Sequence, residues 1–287
     1  ELRSGNTSVI GGRLCQSMKE QLGAGRQVML FLNRRGYSTF ISCRECGYVA
    51  KCPTCGLSLT YHKKNGSAVC HYCGYQTAAI SSCPDCGSRY VKYFGSGTEK
   101  VEETVSAMFP EYSTERLDLD SVRKKGELER RLRAFQKGKT DILIGTQLIA
   151  KGLDFKNVGL VGIISADVAL NIPDFRSPER ALQLIIQAAG RAGRGDEKGK
   201  VVIQTYSPEH YAVAFAAEQD YEGFYKTEIQ LRKYMGYPPF SDMFQILFTS
   251  ADQQEALRGA QSWHDRLMKA LPEEEKGNRY RPIKLRC

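Results

Sequence analysis

Leu14, Met18 and Leu22 recur four residues apart within 13–24, the spacing that puts them on one face of a helix. The next stretch, Gln27-Val28-Met29-Leu30-Phe31-Leu32, is a nearly unbroken apolar run halted by Asn33-Arg34-Arg35-Gly36. A run this short, following a helix, predicts a parallel strand covered on both faces. Similar runs predict buried strands over 141–145, 158–164 and 201–204. Strands are also predicted over 90–94 and 113–117, and helices over 98–108, 121–137 and 177–192. Alternating strands and helices imply an α/β fold, a parallel sheet with helices on both faces. After 206 the pattern changes. Residues 208–235 read as helical and aromatic-rich, Tyr237-Pro238-Pro239-Phe240 as a break, 244–248 as a strand and 253–271 as a helix. The expected organisation is an α/β lobe over 1–42 and 89–206, a Cys-rich insertion over 43–88, and part of a small α+β C-terminal domain over 207–287.

Composition narrows the choice. At about 150 residues per domain, 287 residues suggest two domains. Hydrophobic residues at 41% and charged residues at 25% exclude general disorder. Lys and Arg outnumber Asp and Glu by 41 to 32, a net charge of +9 that favours a polyanionic partner and also serves plain solubility. No apolar run approaches the roughly 18–20 residues of a membrane span, so no membrane partner is expected. The chain opens Glu1-Leu2-Arg3 without a signal peptide, from which we expect a piece of a longer cytoplasmic protein. Eight of the ten cysteines lie between Cys43 and Cys86, a clustering that points to metal rather than to disulfides.

Those eight form four repeats of C-x-x-C-G: Cys43/Cys46, Cys52/Cys55, Cys70/Cys73 and Cys83/Cys86, each followed by Gly. Two intervening residues let both sulfurs reach one tetrahedral ion, and the Gly can adopt the positive φ of the turn. Eight thiolates make two complete sites with no position left for water, so two structural Zn2+ ions are expected. The gap from Cys55 to Cys70 has zinc-ribbon length, which pairs Cys52/Cys55 with Cys70/Cys73 and leaves Cys43/Cys46 with Cys83/Cys86 in a nested arrangement. His62 and His71 are surplus to that set. Lys51, Lys63, Lys64, Tyr61 and Tyr72 suit either contact with nucleic acid or protein, or a solvated surface.

Two further runs carry chemistry. Gly145-Thr146-Gln147, Lys151-Gly152 and Asp154-Phe155 follow a buried strand, and ligands of open α/β sheets bind beyond strand carboxyl ends. Gln187, Gly190-Arg191 and Gly193-Arg194-Gly195 close a predicted helix, where planar guanidinium forks suit phosphate oxygens. Together the first resembles motif V and the second motif VI of superfamily-2 helicases. The runs 30–37, 95–103, 172–180 and 232–240, with the four knuckles between, follow in the order of the PriA-type, primosomal replication-restart helicases. The resemblance covers almost the whole chain. Leu153 and Ser165 stand where that family usually has His and Asp.

The resemblance implies the RecA-like second motor lobe of an ATP-dependent 3′-to-5′ DNA helicase. It implies Arg194 as arginine finger, Arg191 as a second phosphate contact, and Asp154 and Gln187 at the nucleotide. It places Thr146, Gln147, Lys151, Asn33 and Arg34 on the DNA backbone. The implied partners are single-stranded and forked DNA, replication-restart and primosome proteins and single-stranded-DNA-binding protein, in a bacterial, nucleoid-associated setting. Neither G-x-x-x-x-G-K-[ST] nor a DExH run occurs. ATP and Mg2+ are therefore expected to bind only with a first lobe, and these residues alone to be inactive. The rival reading is a non-motor zinc-ribbon scaffold for DNA or protein.

Overall fold

The apolar run after the first helix becomes the middle of a sheet. The computed structural model describes residues 8–32, 40–54, 56–62, 66–70, 74–93, 98–118, 121–122, 126–146, 149, 155–172, 174–193, 199–243, 246, 248–250 and 252–270. The elements begin with α1 (Gly12–Gly23) and β1 (Gln27–Leu32). Next, β2 (Ile41–Cys43) leads into the Cys-rich segment, which holds β3 (Thr60–His62), β4 (Ser67–Val69) and β5 (Gln76–Ala78), and β6 (Val91–Tyr93) follows it. The α/β alternation resumes with α2 (Thr98–Met108), β7 (Thr114–Leu117), α3 (Glu127–Gln136), β8 (Ile142–Gly145) and β9 (Val158–Ile164). Then come α4 (Asp167–Leu170), α5 (Ser177–Ala189), β10 (Lys200–Ile203), α6 (Tyr211–Glu218), α7 (Tyr221–Met235) and α8 (Gln253–Ala270).

The main sheet has the order β10-β9-β1-β8-β7, with every neighbouring pair parallel. All residues of β1, β8 and β9 are buried, as continuous apolar runs require. Successive side chains of β1 face opposite ways. Met29 and Phe31 pack with Leu132 and Phe135 of α3 and Ala181 and Ile185 of α5. Val28 and Leu30 pack with Leu14, Met18 and Leu22 of α1 and Val101 and Val105 of α2. Each fully buried Leu, Ile or Phe contributes about 1.5–3 kcal/mol. Among the described residues no helix is long and apolar enough to cross a membrane.

Four expectations change. The helix expected over 121–137 starts only at Glu127, because Gly126 before it takes φ 81° and Ser121 is held in a turn by Asp118. The helical stretch 208–235 is two helices, separated where Gln219 turns left-handed at φ 57° and Asp220 caps α7 through Gly223 N–H. Of the strand expected over 244–248, Ile246 and Phe248 lie in no ladder, and its other residues fall outside the described ones. The four-residue α4 was not anticipated.

Candidate functional site

The four knuckles fold alike. In each, the glycine N–H donates to the carbonyl of the first cysteine: Gly47 to Cys43, Gly56 to Cys52, Gly74 to Cys70 and Gly87 to Cys83. All four glycines have φ between 64° and 81°, where a Cβ would be strained. The outer pairs meet. The sulfurs of Cys43, Cys46, Cys83 and Cys86 all lie within 4.8 Å of one another. Cys43 Sγ is 3.7 Å from Cys86 Sγ, and Cys46 Sγ is 3.5 Å from Cys83 Sγ. A tetrahedral ion with metal–sulfur bonds of about 2.3 Å sets sulfurs about 3.8 Å apart, so this donor set fits Zn2+. Burial raises the Cys43 thiol, but the backbone N–H groups of Cys46 and Glu45 outweigh it and bring its pKa down to about 7. Cys46 is pushed up to about 12 by burial and by the neighbouring thiols. Of the inner set, Cys52 and Cys70 are buried, while Cys55 and Cys73 lie outside the described residues.

The insertion is docked on the carboxyl edge of the sheet. Its first knuckle approaches the segment after β10 so closely that a Cβ on Gly47 would lie 2.7 Å from the Tyr206 carbonyl oxygen. A second contact joins Ser58 Oγ, donating to Asn171 Oδ1 at 2.9 Å, both residues being buried. Asn171 Nδ2 donates to the Asp167 carbonyl, and the Asp167 carboxylate accepts from Thr205 Oγ1 and from Tyr206 N–H. Burial raises the Asp167 pKa, and these donors oppose it. Sequence reasoning singled out none of Ser58, Asp167, Asn171 or Tyr206 as site residues, and the only local signal is the glycine after Cys46.

The run that resembles motif V crosses the sheet, and the run that resembles motif VI meets its far end. Thr146 follows the carboxyl end of β8, half-buried, and its N–H points to the Leu117 carbonyl at the end of β7. Gly145 is needed there, since a Cβ would meet the Leu117 carbonyl oxygen at 2.8 Å and Ile149 at 2.7 Å. By Phe155 the chain has returned to the amino edge, where that ring packs edge-on against Phe135 with centroids 5.2 Å apart. The run that resembles motif V thus starts at one edge and ends at the other. Gln187 is exposed on α5, and Arg191 is half-buried in the turn that follows the helix, its N–H donating to the Ala188 carbonyl. Gly193 N–H donates to the Val158 carbonyl, which fixes this end of α5 at the amino edge, beside Phe155. Ser165 turns the chain out of β9 with φ 55°, and Ala166 N–H donates to the Gln204 carbonyl. Arg194, Asp154, Gln147, Lys151, Asn33, Arg34 and Leu153 lie outside the described residues.

Residues 89–196 match the helicase conserved C-terminal domain, and residues 52–77 match the PriA DNA helicase Cys-rich region domain. The chain is 45% identical over 260 residues to the replication restart protein PriA of Bacillus subtilis, covering 91% of the chain and 32% of that protein. It is 48% identical over 234 residues to the protein of that name from Haemophilus influenzae, covering 82% and 32%. For Treponema pallidum the identity is 44% over 264 residues, covering 92% and 40%. The chain therefore spans about a third of the length of these relatives.

Proposed function

The chain belongs, over the region it spans, to the PriA family of replication restart proteins, and on that premise we propose that it is the second motor lobe of an ATP-dependent 3′-to-5′ DNA helicase. One observation carries the reading furthest: motif V begins at the carboxyl edge of the sheet and reaches motif VI at the amino edge. A motor needs such a link between a strand-gripping surface and a nucleotide-facing one. Thr146, just past the carboxyl end of β8, holds the phosphates of single-stranded DNA together with Gln147, Lys151, Asn33 and Arg34. Gln187 and Arg191, at the amino edge, bind a nucleotide together with Asp154 and Arg194. Arg194 meets the charge that develops on the γ-phosphate, and Arg191 makes a second phosphate contact. Opening and closing of this edge against another lobe becomes stepping.

Walker A and B groups are absent from residues 1–287, so ATP and Mg2+ require a further lobe and these residues alone do not hydrolyse ATP. Two Zn2+ ions are held, one by Cys43, Cys46, Cys83 and Cys86 and one by Cys52, Cys55, Cys70 and Cys73. With four thiolates each, they crosslink the insertion and leave no position for a reacting water. The partners are single-stranded and forked DNA, replication-restart and primosome proteins, and single-stranded-DNA-binding protein, in a bacterial cytoplasm.

The deciding experiment is Arg194→Ala in the full-length protein. DNA-stimulated ATPase turnover should fall at least about 100-fold, since an arginine finger supplies about 10³–10⁵ in related phosphoryl transfers and Arg191 compensates in part. Zinc content and melting temperature should stay unchanged. Normal turnover in both Arg194→Ala and Arg191→Ala would refute the motor reading in favour of the scaffold.

A further inference from the structure

Two of the sequence runs, 172–180 and 232–240, have no part in the chemistry above, yet they pack against each other. Phe175 stacks on Tyr237, with ring centroids 5.1 Å apart and planes within 16°. The Arg232 guanidinium lies over the Phe175 ring, 5.2 Å from its centroid. Its Nη2 donates to Glu179 of α5 at 2.8 Å, and its Nε donates to Glu228 of α7 at 2.7 Å. The Tyr211 hydroxyl, on α6, donates to the other Glu228 oxygen at 2.6 Å. The guanidinium thereby joins α7 to α5, and Glu228 joins α7 to α6. The Arg232 side chain is 15% exposed, that of Glu228 9% and that of Glu179 34%, so the Glu228 pair is largely shielded from water and the Glu179 pair partly so. Burial works against the charge on Arg232, but the hydrogen bonds to Glu228 and Glu179 more than restore it. Only a planar fork can serve both carboxylates and an aromatic face together.

What matters is where α5 goes. Glu179 lies in its first turn, just after the chain has left the carboxyl end of β9. Eight residues later, about 12 Å at 1.5 Å per residue, the helix has carried Gln187 towards the amino edge, and Arg191 follows two residues past its last residue, Ala189. Ala181, Leu182, Leu184, Ile185 and Ala188 are buried along its length. A helix packed this closely moves as a rod, because interiors have few voids to absorb a local shift.

We propose that Arg232 is a positioning residue: the Glu179–Arg232–Glu228 clasp ties α7 to α5 and sets the register of the Gln187–Arg191 end for phosphoryl transfer. The inference rests on the motor reading for its consequence and on the contacts for its mechanics. Whatever binds the segment that carries α7 then acts on the nucleotide edge through α5.

Glu179→Gln is the chosen variant, because Arg232 keeps Glu228 and no buried charge is orphaned. Glu179 also accepts from Gln183, a bond that Gln can retain. In the full-length protein, DNA-stimulated kcat should fall at least about 5-fold, since even a 1 Å misplacement can cost up to 10²-fold. The KM for ATP and the melting temperature should not move. Arg232→Lys keeps the charge without the fork, and should lower kcat by a similar factor. Unchanged kcat in both variants overturns the proposal. A fall in kcat with parallel changes in KM and melting temperature reduces the clasp to a structural brace and overturns it too. Amide exchange over 187–193, followed in the chain without nucleotide or DNA, should quicken in Glu179→Gln. Unchanged exchange there overturns the mechanical link. If the unsubstituted full-length protein shows no DNA-stimulated ATPase, the motor reading fails, and the exchange comparison still judges the clasp by itself.

Discussion

Replacing Gly47 by alanine probes the seam between insertion and lobe, and the chain supplies its own control. Gly47 and Gly87 close the two outer knuckles with nearly the same backbone, φ 81° and φ 72°, and each donates to the first cysteine of its pair. An alanine in the left-handed region costs about 1–2 kcal/mol at either position. The surroundings differ. At Gly87 nothing lies within 4 Å of the new methyl, whereas at Gly47 it meets the Tyr206 carbonyl oxygen at 2.7 Å and Tyr206 Cβ at 3.3 Å. Those atoms cannot swing aside independently, because Tyr206 N–H is bound by the buried Asp167 carboxylate. Overpacking of this kind adds about 1–3 kcal/mol. Gly47→Ala should therefore cost about 2–5 kcal/mol and Gly87→Ala about 1–2 kcal/mol. Urea denaturation followed by circular dichroism gives both values, and the release of zinc to a colorimetric chelator gives the state of the outer site. Equal destabilisation at the two glycines would refute the reasoning, since only the seam distinguishes them.

Two further outcomes are expected. Elemental analysis should find two Zn2+ per chain, falling to one in Cys83→Ser, with chelation melting the insertion and sparing the main sheet; a single ion in the unsubstituted chain contradicts the nested assignment. His210, half-buried, has its pKa lowered to about 4 from 6.5 by desolvation and then by the nearby Lys51 charge, and its Nδ1 accepts from Ala212 N–H at the start of α6. The unfolded chain then binds the extra proton first, so the His210 contribution is complete above about pH 6.5 and is lost as pH falls towards 4. Between pH 7.5 and pH 5 the loss is about 2 kcal/mol at 1.36 kcal/mol per pH unit. His210→Asn keeps an acceptor without titrating, so its urea stability should fall less over that interval; equal falls would contradict the assignment.

Much of this was legible in the chain. β1 and β9 were readable because strands buried on both faces need unbroken apolar runs, and the knuckles because each C-x-x-C-G carries its own turn chemistry. The break at Gln219 was not, since a left-handed glutamine looks like any polar helix position. Nor was the docking of Ser58 on Asn171, 113 residues apart, which a single sequence cannot pair. The amino-edge position of motif VI could have been deduced. A helix joining two parallel strands runs against them, so the end of α5 had to return to the edge where β10 starts. The clasp was half visible: 172–180 and 232–240 stood out as runs, but nothing local says that they touch.

The insertion leaves the lobe through β2 and returns through β6, which pair antiparallel from Ile41 with Tyr93 to Cys43 with Val91. Held by that ladder alone it would be a pendant on a short stalk, free to twist about the stalk axis. The Gly47–Tyr206 seam and the Ser58–Asn171 bond add two further points of attachment that oppose the twist. A body held at three places resists rotation more than one held by a single ladder. Any torque a ligand exerts on the ribbon is therefore delivered to the turn after β10 instead of being spent in swivelling, and the zinc knuckles become the stiff arm of a gauge whose reading is the geometry of the sheet's carboxyl edge.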